Sequence, residues 1–564
     1  MLANFRLTMT WIHTWFGLVL GYVLMACFFF GSLAVFDREI DRWAIPDTRF
    51  APQPMPSYDN MMRFMFEDML PHPSDMAATA NRVKGALPAP EAMPMQTLYA
   101  FTTHRDPVLR VGAEFGIPNE PLNGSDEHEH VHGWGTLDPR SGKLLAEGSL
   151  RIGSEWFYPL HYNLNLHWGL VGYFLVGLAG FIMMVALVTG VIMHRKIFRE
   201  FFTFRPAKKT QRSTLDLHNM TGVIALPFHF FFAFTGVLIF AASIFYPVSG
   251  FYLTKLHDHH EAIESQRTGL PLKPAGIAAP LASVDAMMEE AKRIWAARDM
   301  AGEVGYLRVE HLGDRNSYVS IYRAGSDRVI YEGTGIHFNG STGAVILEDP
   351  PASTVGNISS YLMSLHLQHF EHWPLRWLYV LGGLLGCVCI ATGFIFFVEK
   401  RKRRHAEYNN YGCRVVDALA VTAVTGMVIA AVAMLVANRL LPVDIADKGQ
   451  WEVRVFWGAW GLALVHAALR SGPVANARIN PAWKEQCLVL AALAVAAPVL
   501  NGWTTGDHLI QTLFVEPFWP VAGLDLCLLG CAAVSLWAAR KLSLADQSEL
   551  RVKPTLEGVD YGRG

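Results

Sequence analysis

The chain has 564 residues, of which 52% are hydrophobic, 12% aromatic and 17% charged, with a formal net charge of −2. Soluble chains carry about 25% charged residues, whereas here the mean hydropathy is +0.23 and the apolar residues gather into long uncharged runs. These features exclude a soluble enzyme, a disordered chain and, with so little net charge, a nucleic-acid binder, and leave a polytopic membrane protein.

Runs of about 20 apolar residues match the hydrocarbon core of a bilayer, and eight helices are expected to cross it. Leu7–Phe36 predicts a first helix over residues 5–36, too long and without a small-residue cleavage site for a removable signal. A polar segment at 37–160 is followed by a second helix over 161–195. The loop 196–216 is basic, with Arg199, Arg205, Lys208, Lys209 and Arg212 against Glu200. A third helix is expected over 217–246, a second polar segment over 247–365 and a fourth helix over 366–398. Lys400-Arg401-Lys402-Arg403-Arg404 dominates the next loop, 399–414. Residues 415–540 predict a four-helix extension, whose weaker spans are Val455–Leu469 and Pro517–Ala539, before a tail at 541–564. The positive-inside rule places both basic loops in the cytoplasm. Both chain ends are then cytoplasmic, and the two polar segments lie outside. Neither of those segments contains any of the seven cysteines, so no disulfide framework is available there.

Residues 5–400 read as an internal tandem duplication. His13-x3-Gly17 with Gly31-Ser-Leu33 recurs as His218-x3-Gly222 with Gly236-Val-Leu238, offset by 205 residues. Leu160-His161 and His167-Trp168 recur as Leu365-His366 and His372-Trp373 at the same offset. The second and fourth runs both end in Thr-Gly, at Thr189-Gly190 and Thr392-Gly393. In the polar segments, Ser57-Tyr-Asp59 and Ser283-Val-Asp285 each open an amphipathic helix, and hairpin turns are expected at Asp138–Gly142 and Asn339–Gly343. The expectation is two copies of helix, outer α+β domain and helix, related by a pseudo-two-fold axis along the membrane normal.

Histidines within a membrane are functional candidates. The duplication pairs His13 with His218 at the cytoplasmic face and His161 with His366 at the outer face. Two imidazoles from facing helices suit haem iron or another d-block metal, and Gly17, Gly222, Gly31 and Gly236 fall on the helical face that a macrocycle would occupy. A single histidine at a helix end is ordinarily an interfacial hydrogen-bonder; four at matched depths favour two stacked haems. With no C-x-x-C-H, these would be non-covalent b-type haems. His229 is a secondary candidate for ligation or an electron path, against a packed core histidine. His167, His369 and His372 are alternatives to the outer pair, and His194, beside Arg195-Lys196, reads as an interface residue or secondary ligand. His466 reads as structural. His128, His130 and His132, and His257, His259 and His260, alternate with acids and can bind Fe, Cu or Zn, although such runs are usually solvated loops. Asp525 is a lone intramembrane acid, suited to a proton path or a helix-end hydrogen bond. There is no dinucleotide fingerprint and no P-loop, so electrons would arrive from a separate cytoplasmic or membrane donor.

The motifs His13-Thr-Trp-Phe-Gly17, Phe157-Tyr-Pro-Leu-His161-Tyr, Asp216-Leu-His218-Asn-Met-Thr-Gly222 and Leu365-His366 resemble the PepSY-associated transmembrane helix family over about residues 5–400. The resemblance implies a bacterial inner-membrane protein linked to iron uptake, with two periplasmic PepSY-like domains. Some members are dihaem siderophore reductases, passing electrons to a ferric siderophore in the periplasm. By motif, their haem ligands would here be His13 and His218 inside and His161 and His366 outside. Leu367-Gln368-His369 stands where the family often has glycine, and minimal members lack the C-terminal extension. The leading expectation is a haem oxidoreductase acting on a ferric chelate. A PepSY-type regulator holding a peptide or peptidase, and a transporter of ferric chelate or haem, are the alternatives.

Overall fold

The computed structural model describes residues 2–103, 105–118, 130–145, 149–193, 203–206, 210–243, 263, 265–330, 334–408, 411–442, 445–471 and 480–552. It divides into a helical unit (Met1–Pro46, Gly148–Ile244 and Pro374–Gly564) and a sheet unit (Asp47–Glu147 and Phe245–Trp373).

In chain order, α1 (Leu2–Ala34) and α2 (Asp37–Ala44) open the helical unit. The chain then enters the sheet unit with α3 (Arg63–Glu67), α4 (Pro73–Val83), β1 (Met95–Thr103), β2 (Asp106–Gly116) and β3 (His130–Leu137). It returns through α5 (Tyr158–Tyr162), α6 (Val171–Met193), α7 (Thr210–Ile224) and α8 (Leu226–Ser243). The second excursion contains α9 (Val284–Ala297), β4 (Val304–Glu310), β5 (Tyr318–Arg323), β6 (Gly335–Asn339), β7 (Val345–Glu348) and α10 (Thr354–Leu367). Helices α11 (Trp373–Glu407), α12 (Gly412–Val421), α13 (Met427–Leu440), α14 (Lys448–Arg470), α15 (Ala482–Thr505) and α16 (Trp519–Val552) complete it. A wide turn at Thr422–Gly426 joins α12 to α13.

Six helical spans among the described residues are long and apolar enough to cross a membrane, or seven if the bent pair α7–α8 is one span. These are the helices of a multi-pass membrane protein. The eight expected are not all reached among the described residues. Val455–Leu469 does lie in a 23-residue helix, α14, but that helix is outside the qualifying set; Lys448, Glu452, Arg454 and Arg470 dilute its apolar character. The second apolar run is broken as well. Leu164 and Asn165 take φ of 58° and 50°, separating α5 from α6, and Gly172 packs so closely that an added Cβ would lie 1.9 Å from Asn163 O. The third run bends by 65° between α7 and α8. Pro227, the second residue of α8, has no N–H to continue the ladder.

The core of the helical unit joins α1 to the C-terminal extension: Met25 and Phe30 pack with Met427, Met434, Phe456, Leu490 and Val521. Arg376 of α11, 1% exposed, finishes α1 by donating from Nη2 to Val35 O at 2.8 Å and to Glu39 at 2.7 Å. Its guanidinium also lies 4.2 Å from the Phe36 ring centroid, so the buried charge is fully engaged.

In the sheet unit, the two polar segments do not form separate domains. The seven strands among the described residues make one antiparallel sheet, ordered β3-β2-β1-β4-β5-β6-β7. Leu98 to Phe101 of β1 pair with Val309 to Tyr306 of β4, closing two edges that would otherwise be exposed. Alternate residues Leu98 and Ala100, Leu307 and Val309, and Val319 and Ile321 share one core with Met287, Met288 and Trp295 of α9. The Ser-x-Asp motifs cap one another. Ser283 Oγ donates to Asp59 Oδ2 at 2.6 Å, Tyr58 N donates to Asp285 Oδ1 at 2.7 Å, and Ser57 Oγ also donates to Asp285.

Candidate functional site

His13 in α1 and His218 in α7 stand with ring centroids 6.1 Å apart and ring planes at 80°. A different helix grips each ring in the same way. His13 Nδ1 donates to Ala186 O of α6 at 2.9 Å, and His218 Nδ1 donates to Cys389 O of α11 at 2.8 Å. The rings lie over Gly190 and Gly393, where an added Cβ would come 3.3 Å from the imidazole Cε1 in both cases. Thr189 and Thr392, beside those glycines, turn their hydroxyls back to Val185 O and Val388 O of their own helices. Asp216 accepts from Arg205 and pairs with Arg212, fixing the start of α7 two residues before His218.

This geometry selects a tautomer. A carbonyl can only accept, so both Nδ1 atoms carry hydrogen and, in the neutral ring, both Nε2 atoms hold the lone pair. Metal-ligating histidines characteristically have this second bond to a carbonyl. These two Nε2 atoms are the donor set that a bis-histidine haem would use. The spacing of the rings is also that of an edge-to-face contact. Gly17, one turn after His13, has nothing within 4 Å of an added Cβ, whereas Gly222 faces Cys389 Sγ at 3.5 Å. The residues therefore fit a bis-histidine group with open space beside α1. One asymmetry remains: Cys389 Sγ lies 3.6 Å from His218 Nδ1, where the other half has Ala186.

His161 repeats the grip in a second layer. It sits on α5, with Nδ1 donating to Cys27 O at 2.8 Å. Cys27 is fourteen residues beyond His13, about 21 Å along α1 at 1.5 Å per residue. Gly31 does not leave room for a macrocycle here, as the sequence suggested. The His161 ring fills its missing side chain, with Nδ1 2.7 Å from an added Cβ. His366 is in the last turn of α10 in the sheet unit. The 205-residue offset relating it to His161 also relates Phe232 to Cys27 and Gly236 to Gly31.

The secondary candidates separate. His229 is buried in the helical core, its Nε2 donating to Gly382 O at 3.1 Å, with Phe28 edge-on at 5.1 Å. His167, His369 and His372 are exposed. His466 pairs with Glu485 at 2.9 Å. His194, His128, His257, His259 and His260 lie outside the described residues. His132 is engaged by Asp75 at 3.1 Å, and His130 shares β3 with it. No group of three metal-ligating residues occurs among the described residues. Asp525 accepts from Trp43 Nε1 at 2.7 Å, tying α16 to α2. Both Thr-Gly pairs are visible in the sequence, but their place against the paired histidines is not.

The family model described as "PepSY-associated TM region" matches residues 10–400. An uncharacterised protein of Pseudomonas aeruginosa is 26% identical over 404 residues, covering 66% of this chain and 92% of that protein.

Proposed function

Since the chain belongs to the PepSY-associated transmembrane family, we propose that it is a haem protein of the bacterial inner membrane that passes electrons outward to a ferric siderophore or related ferric chelate. The observation that carries this reading is the matched pair His13 and His218, with rings 6.1 Å apart and each Nδ1 hydrogen-bonded to a carbonyl of a neighbouring helix. Haem b held there supplies one-electron transfer. The protein's own contribution is positional: carbonyls at Ala186 and Cys389 fix the tautomer, Gly190 and Gly393 admit the rings, and Gly17 leaves space beside them. His161 and, by the same sequence offset, His366 are assigned to a second haem near the outer face, making about two per chain. Layers about 21 Å apart divide the ~30 Å hydrocarbon core into short steps. The positive-inside asymmetry supports the direction, and the two polar segments then face the periplasm.

The chemistry of release fits this assignment. The hard oxygen donors of a siderophore hold Fe(II) far less well than Fe(III), so one electron suffices to loosen the iron. The test mixes dithionite-reduced full-length protein with several ferric chelates under anaerobic stopped flow, with a ferrous chelator present. Reoxidation of the haem α-band together with trapped Fe(II) is expected. Haems that react with oxygen but with none of the chelates would overturn the reductase reading, in favour of transport or regulation.

A further inference from the structure

The C-terminal helices contain a buried polar pair that the histidine layers do not use. Glu452, in the second turn of α14, is 1% exposed, and Asn438, in the last turn of α13, is 5% exposed. Asn438 Nδ2 donates to Glu452 Oε1 at 2.8 Å. Among the described residues, the other atom of each group, Glu452 Oε2 and Asn438 Oδ1, is buried without a hydrogen-bond partner. Both are acceptors when Glu452 is ionised, so neither can satisfy the other, and unmet buried acceptors are costly. One hydrogen resolves both. A carboxylic acid donates from Oε2 to Oδ1 while the amide donates to Oε1, closing a ring of two opposed hydrogen bonds.

We propose that Glu452 is a proton-binding site, held as a neutral carboxylic acid by pairing with the Asn438 amide. Among the described residues no cation is hydrogen-bonded to it. Arg439, beside Asn438, directs Nη2 to the Trp43 and Ala44 carbonyls at 2.5 and 2.6 Å and lies over the Trp43 ring at 4.7 Å. Lys448, one turn before Glu452 on α14, is the other cation that its charge would feel. Asp525 of α16, linked to this cluster through Trp43, accepts from Trp43 Nε1 and Asn501 Nδ2. Loss of the proton would leave the Glu452 carboxylate and one hydronium ion in water; no electron is exchanged. The site is independent of the haem assignment, and it gives the C-terminal extension a chemistry of its own.

The test uses the full chain in nanodiscs at neutral pH. Infrared spectroscopy should show the carbonyl stretch of a neutral carboxylic acid, shifted in D₂O and absent from Glu452→Gln. The glutamine amide supplies the missing N–H to Asn438 Oδ1, so this variant should melt at the wild-type temperature, while Glu452→Ala and Asn438→Leu fall by several degrees. If wild type and Glu452→Gln show the same acid bands, the proposal fails. It fails equally if Glu452→Gln melts as low as Glu452→Ala, the mark of a required carboxylate. Sodium that raises the melting temperature of wild type but not of Glu452→Gln would assign the pair to a metal cation instead.

Discussion

His13 and His218 are fixed by backbone rather than by side chains, so the consequences of removing them are local. His13→Ala or His218→Ala is expected to cost the inner haem and leave the outer one, seen as about half the wild-type haem with the remainder still low-spin. Gly190→Val is a gentler probe. Its Cβ would already sit 3.3 Å from the His13 ring, and the added methyls should tilt the ring and yield a high-spin signal. Electron paramagnetic resonance with a haem count checks both; four wild-type spectra from the His13, His218, His161 and His366 alanine variants would refute the ligand assignment. Asp41 makes a separate prediction about pH. It accepts from Gly153 N at 2.8 Å and Ser154 Oγ at 2.6 Å, yet burial pushes its carboxyl from an ordinary 3.8 up to about 7, against the opposing effect of Arg38. The folded form therefore holds the proton more tightly than the unfolded form. Its contribution to stability is complete below about pH 4 and is lost as pH rises through 7, by at most about 1.4 kcal/mol per pH unit. Melting curves across this range should slope downward in wild type and flatten in Asp41→Asn.

At the scale of elements, the reciprocal caps bind the two halves of the sheet unit. Asp59 serves the start of α9, and Asp285 serves Tyr58. Replacing either by alanine should cost about 1 kcal/mol, as for a lost N-cap. Hydrogen exchange should then quicken at amides 284–286 in Asp59→Ala and at 58–60 in Asp285→Ala, with little change elsewhere. Unchanged exchange at both places would show that these contacts are not stabilising. The Ser-x-Asp repeat was legible in the sequence, but its partner was not: each serine accepts from its own helix, at Asn60 N and Ala286 N, and only the fold shows the exchange of the aspartates. The β1–β4 seam was hidden for the same reason, since alternation reveals a strand and its inward face but not the strand beside it. Helix breaks were partly visible. Pro227 is a signal in itself, whereas the corner at Leu164 and Asn165 lies within an apolar run and depends on left-handed backbone that those residues do not advertise. Composition alone cannot tell a metal ligand from a histidine such as His132, which is held by Asp75. The inner pair was readable because one weak signal, His-x3-Gly, occurs twice in the sequence, 205 residues apart.

At the scale of the whole molecule, the first 400 residues and the extension divide the work. The family match ends at residue 400, yet α13 to α16 share one hydrophobic core with α1, the helix that bears His13 and Cys27, and Phe456 of α14 meets Phe30. The extension thus braces the helix that spans both histidine layers, and its polar interior at Glu452 and Asp525 lies apart from them in sequence. The central claim remains that this scaffold holds iron porphyrin. The most direct measurement is an absorption spectrum and pyridine haemochrome count on full-length protein expressed with ample haem. A Soret band, low-spin reduced α- and β-bands and about two b-type haems per chain are expected. A haem-to-protein ratio near zero would contradict the account.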